Sequence, residues 1–118
     1  MHAEPERFAR AALDVVRDRG NQLFLSAASA WEIAIKYALG KLPLPVPPAE
    51  YVPSRMERSD TTALAVTHEH ALRVSGLPPH HRDPFDRMLV VQCQAEAMHL
   101  LTADRQFERY DLEIIWAE

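Results

Sequence analysis

Three carboxylates stand out by position: Glu32, Asp86 and Asp104. Each falls where a strand end or the first turns of a helix are expected. Hard cations such as Mg²⁺ and Mn²⁺ prefer carboxylate oxygen and water. A cation held this way activates water and neutralises charge on a phosphodiester in its transition state. Without a cation the acids would repel one another. At about 4 Å, two like charges cost on the order of 4 kcal/mol at an effective dielectric near 20. A genuine cluster therefore implies a metal or raised carboxyl pKa values.

Each acid also has a purely structural reading. Glu32 completes a capping box with Ser29. Asp83 precedes Pro84, which suits an N-cap followed by Pro at the first helical position. Asp86 can support the same helix start, and Asp104 can be a turn residue. Spacing alone leaves both readings open. Among the other polar groups, adjacent His80 and His81 rarely converge on one ion. His68 and His70 are two apart and point in nearly opposite directions on a helix. Cys93 sits mid-helix without a neighbouring Ser/His-type arrangement, which suits a buried apolar role.

The elements that must position the acids follow from periodicity. Phe8, Ala11, Ala12, Val15 and Val16 form an apolar stripe that predicts a helix from about Pro5 to Arg19, with Gly20-Asn21 as the turn. Strands are expected at Gln22–Leu25, Ala63–Val66, His99–Thr102 and Glu113–Trp116. Helices are expected over Ala27–Leu39, Pro48–Arg58, from a Thr67 cap to Val74, and from Asp83 to about Ala97. Pro53 is a doubtful point inside the second of these. A turn or short helix should span Asp104 to Tyr110. Pro43, Pro45, Pro47 and Pro48 favour an extended strap. Alternating helices and short apolar strands give a three-layer α/β/α fold with a mostly parallel sheet. Such sheets carry ligand sites at the carboxyl ends of their strands.

Composition narrows the function classes. A chain of 118 residues fits one domain, residues 1–118. With 13 Lys and Arg against 17 Asp and Glu, the formal charge is −4, so binding to nucleic acid by bulk charge is disfavoured. A metal-bridged contact is not. The lone Cys93 excludes an internal disulfide and a Cys-rich zinc site. No apolar run approaches the roughly 20 residues of a membrane span. The opening Met1-His2-Ala3-Glu4-Pro5-Glu6 lacks a signal pattern, so the cytoplasm is the expected compartment.

Ser26-Ala27-Ala28-Ser29-Ala30-Trp31-Glu32-Ile33-Ala34-Ile35-Lys36 resembles the second-helix signature of PIN-domain toxins of the VapC type. Pro79-His80-His81-Arg82-Asp83-Pro84-Phe85-Asp86-Arg87-Met88-Leu89 resembles that family's later acidic helix. Leu100-Leu101-Thr102-Ala103-Asp104 resembles its last acidic strand end. Order and spacing agree over nearly the whole chain. The resemblance implies a metal-dependent endoribonuclease, the toxin of a toxin–antitoxin pair. It implies that Glu32, Asp86 and Asp104 position Mg²⁺ or Mn²⁺ and the attacking water. Arg87, Lys36 and Thr102 become candidate substrate contacts, Arg87 alternatively serving a structural ion pair. Asp83 matches the Asp-Pro-Phe-Asp-Arg segment as its cap.

One departure is large. The family normally opens with an apolar strand ending in Asp, followed by a first helix, and that strand is central in its sheet. Here the chain starts at what resembles the segment after both. Neither Asp14 nor Asp18, expected within the first helix, replaces the missing acid. Its loss should leave two strand edges unpaired. The alternative to an active ribonuclease is therefore a catalytically impaired PIN-like module that only binds an antitoxin or partner chain. The resemblance also implies RNA as substrate and a VapB-type antitoxin as partner. Trp31, Ile35, Tyr37 and Leu39 sit on a helix that reads as apolar all round. Beside the proline strap it should offer an antitoxin a groove, and a homodimer is expected.

Overall fold

The computed structural model describes residues 15–18, 22–80 and 83–117. The first strand, β1 (Val15–Arg17), is followed by β2 (Leu23–Ser26) and α1 (Ala27–Ala38). Next come α2 (Pro48–Arg58), β3 (Thr61–Leu64) and α3 (His68–Arg73), which runs on as a 3₁₀ turn over Val74–Gly76. Then α4 (Pro84–Glu96), β4 (His99–Thr102), a 3₁₀ helix over Arg105–Arg109 and β5 (Ile114–Trp116) complete the chain.

The five strands form one sheet in the order β3-β2-β1-β4-β5. β2 pairs parallel with β3, and β4 with β5. β1 lies in the centre and runs antiparallel to both its neighbours. The four expected strands thus run in one direction, and the fifth against them. Helices cover both faces, which completes the three-layer α/β/α arrangement.

The segment at Val15 and Val16 corrects the sequence reading, which extended a helix through it. Residues 5–14 and Arg19 of that expected helix, and the Gly20-Asn21 turn, lie outside the described residues. Two adjacent β-branched valines satisfy a helical stripe and a strand alike. The slot between β2 and β4 decides between them. It offers ladder partners on both sides, with Val16 opposite Phe24 and Leu100. It also buries both faces: Val16 packs with Leu89, Val90 and Leu100, while Val15 packs with Leu25, Ile33 and Val52. The inner edges of β2 and β4, expected to be bare, are therefore paired. The Asp18 carboxylate, just past β1, accepts from the Gln22 N–H at 3.0 Å.

β3 begins two residues earlier than expected. Asp60, at φ 56, ends the turn after α2, and the parallel register sets Leu25 against Ala63. That leaves Val66 outside the sheet and partly exposed. The strap over residues 41–47 carries no helix or strand and is pinned by buried Leu42. Gly40 takes φ +74 just past α1, the left-handed geometry expected of a helix-ending glycine. Pro53 is accommodated inside a continuous α2.

Candidate functional site

β2 and β4 run the same way, so their carboxyl ends lie at one end of the sheet. Ser26 ends β2 and also caps α1, accepting from the Ala28 N–H at 3.0 Å. Glu32 follows on α1. Thr102 ends β4, and its buried hydroxyl accepts from the Asp104 N–H at 3.1 Å. α4 must run back to the amino end of β4 through only Ala97 and Met98, so its start lies at the same sheet end. Asp86 is in its first turn. All three acids are thus carried by elements that leave or enter one end of the sheet.

Their local partners differ from the purely structural readings in one case. The helix begins at Ala27, so Ser26 is the cap and Ser29 is buried within α1. The Ser29–Glu32 capping box does not form. Glu32 instead pairs with Lys36, one turn on, at 2.8 Å. Asp104 does act as a cap: its carboxylate accepts from the Gln106 N–H at 2.9 Å. Asp83 caps α4 as expected, accepting from Phe85 at 2.8 Å and Asp86 at 3.3 Å. Its carboxylate is occupied by the helix start.

The candidate substrate contacts are also placed. Arg87 donates to the carbonyls of Pro78 at 3.1 Å and Val74 at 3.0 Å, so its guanidinium ties the 74–78 loop to α4. Lys36 is held by Glu32. Thr102 is fully buried beneath the strand end. Beside Asp104, Arg105 stacks over the Trp116 ring at 4.2 Å and reaches Glu108 at 3.2 Å.

Among the described residues, no group of three or more His, Cys, Asp or Glu side chains is placed to hold a metal. Glu32, Asp86 and Asp104 thus do not form such a group of three. Their oxygen donors still suit a hard cation in kind. Mg²⁺ is commonly bound by one or two carboxylates with waters and substrate phosphates, without an all-protein cage. Carboxylate donors of this kind fit that sparser arrangement in their chemistry.

An apolar cavity of about 450 Å³ opens between the starts of α1 and α4, lined by Ala27, Ala28, Trp31, Val66, Phe85 and Met88. Trp31 and Phe85 meet edge to face, with centroids 5.3 Å apart. Each immediately precedes a candidate acid in the chain.

The PIN domain family matches residues 1–113. The chain belongs to the PIN-domain family. It is also similar to Ribonuclease VapC16 of Mycobacterium tuberculosis (strain ATCC 25618 / H37Rv), at 52% identity over 85 residues. That match covers 64% of this chain and 60% of the relative. The chain thus spans about three fifths of that relative's length. No solved structure matches the chain. Among the described residues, no helix is long and apolar enough to cross a membrane.

Sequence reasoning missed the buried polar chain beneath this PIN-domain site. Ser26, Gln92 and His70 are all buried and bonded in series. Two signals were present. Gln92 interrupts the apolar run Leu89-Val90-Val91-Gln92-Cys93, and Thr67 and His70 have capping-box spacing. Cys93 is buried as expected, and burial pushes its thiol from the ordinary 9.0 up to about 12. α1, expected to be too apolar all round to face water, does face it on one side: Trp31, Ala34, Lys36 and Ala38 are exposed, while Ile35 and Tyr37 are half-buried.

Proposed function

We propose that this chain is a metal-dependent endoribonuclease, the toxin of a toxin–antitoxin pair, acting on RNA phosphodiesters. The observation that carries this reading is the 52% identity to a ribonuclease across a stretch of 85 residues. Glu32, Asp86 and Asp104 are its acidic residues, one on each of three elements meeting at one sheet end. Mg²⁺ or Mn²⁺, bound by these carboxylates, would supply charge neutralisation and an acidified water. Thr102 holds the backbone of Asp104, and so its carboxylate, in place. Lys36 restrains Glu32 and sits partly exposed, where it can meet a phosphate.

The test is cleavage of RNA by this chain with Mg²⁺, Mn²⁺ or a chelator, with Glu32→Gln alongside. Metal-dependent cleavage that Glu32→Gln lowers by at least about 10²-fold is expected, the scale of losing one group that stabilises transition-state charge. Equal cleavage by Glu32→Gln, or full activity in chelator, overturns the reading.

A second reading is favoured by the lack of a three-carboxylate group among the described residues. In it the chain is a catalytically impaired PIN-like module that binds a VapB-type antitoxin or a second copy of itself. Trp31, 65% exposed, and the apolar cavity beside it suit an apolar anchor from such a partner. A partner Arg or Lys would then reach the nearby acids. Partner binding without any metal-dependent cleavage selects this reading. Sedimentation at micromolar concentration separates a homodimer from a monomer awaiting its antitoxin.

A further inference from the structure

Gln92 is fully buried in the middle of α4, and a buried amide must find partners for both its ends. Its Oε1 accepts from Ser26 Oγ, the hydroxyl that caps α1. Its Nε2 lies 3.2 Å from the Ala65 carbonyl, just past β3, and 3.4 Å from His70 Nδ1. His70 is itself fixed from both sides. The Thr67 N–H donates to Nδ1 at 3.1 Å, and Nε2 meets Glu96 at 2.8 Å. Nδ1 is therefore an acceptor, and the imidazole carries its proton on Nε2. Gln92 and Glu96 are one turn apart on α4 and hold the ring between them. Turning the amide over would set Oε1 against two acceptors, the Ala65 carbonyl and Nδ1. Only one orientation satisfies the chain of bonds, and in a dry interior that constraint is strong.

We propose that Gln92 is a positioning residue: its amide fixes α1, which carries Glu32, against α4, which carries Asp86, with His70 setting the amide's orientation. The assignment rests on the ribonuclease reading above for its catalytic consequence. Its structural consequence stands apart from that reading. The bond from Gln92 ends on the residue that starts α1, so losing it should loosen the first turn of α1 before the rest of the sheet.

Three measurements on the full chain test this. First, long-range proton–nitrogen NMR of the unmodified protein at pH 8 should show His70 protonated on Nε2; protonation on Nδ1 overturns the scheme. Second, Gln92→Met, which keeps length but removes the amide's acceptor and donor, should speed amide exchange at Ala30 and Trp31 at least tenfold over the change at Leu100 and Leu101. Uniform acceleration overturns it. Third, kcat for RNA should fall about 10-fold or more with KM nearly unchanged, since displacements of about 1 Å carry losses of that scale. Ser26→Thr, which keeps the hydroxyl, should retain kcat. Val52→Ala, in the opposite core cluster, should lower stability and keep kcat. Gln92→Met at full kcat, or Val52→Ala losing as much kcat, overturns the proposal. If Gln92→Met does not fold, Gln92→Leu removes the same amide, leaves the Ser26 cap of α1 intact and is judged by the same outcomes. If the unmodified chain cleaves no RNA, the ribonuclease reading fails, and the exchange pattern alone decides for or against Gln92.

Discussion

The Glu32 carboxylate lies 2.8 Å from the Lys36 ammonium, one turn further along α1. The pair is partly exposed, so it contributes only about 0.3–0.5 kcal/mol. A divalent cation at Glu32 must compete with that ammonium. Lys36→Gln should therefore tighten Mn²⁺ binding by about twofold, read as the midpoint of a Mn²⁺ titration of thermal stability. An unchanged midpoint would place the ion away from Glu32.

Asp83 accepts two backbone N–H groups at the start of α4. Asp83→Ala should cost about 1–2 kcal/mol, a melting-temperature drop of roughly 4–8 °C for a domain of this size. Calorimetry measures it. A drop below about 1 °C would mean that α4 is held by its packing alone.

Arg87 spends its guanidinium on the Val74 and Pro78 carbonyls. Arg87→Ala should cost about 1–2 kcal/mol and speed proteolysis in the 74–78 loop, with KM for RNA unchanged. A raised KM at unchanged stability would instead make Arg87 a phosphate contact.

Cys93 links burial to pH. Its thiol is raised to about 12 in the folded protein, so the folded state keeps a proton that the unfolded state loses near 9. Stability is unaffected below that range and falls as pH rises from 9 towards 12, by at most about 1.4 kcal/mol per pH unit. Cys93→Ala should flatten the decline in a denaturant series at pH 8 to 11. Alkylation of the folded protein at pH 8 should be slow and become fast in denaturant.

Local signals were enough wherever a residue's neighbours in sequence are also its partners in space. Asp83-Pro84 fixed the start of α4 because an N-cap bonds to N–H groups two and three residues away. Gly40 ended α1 because only the local backbone decides a left-handed turn. The alternation of short apolar runs with amphipathic helices was sufficient for a three-layer α/β/α sheet. Each run must bury both faces, and parallel strands need helical crossovers.

Other features depended on residues far apart in the chain, and the fold alone decided them. Val15 and Val16 read as helix until β2 and β4 supplied a slot that buries both of their faces. Ser29 lost the cap to Ser26 because β2 ends where α1 begins. The tie between Ser26 and Gln92 spans 66 positions. No local spacing reports it, because the bond exists only once two dry surfaces close around groups that water would otherwise satisfy. The sequence named the acids by type and position. Whether three of them share one ion is a question of ångströms between separate elements, and packing alone sets those distances.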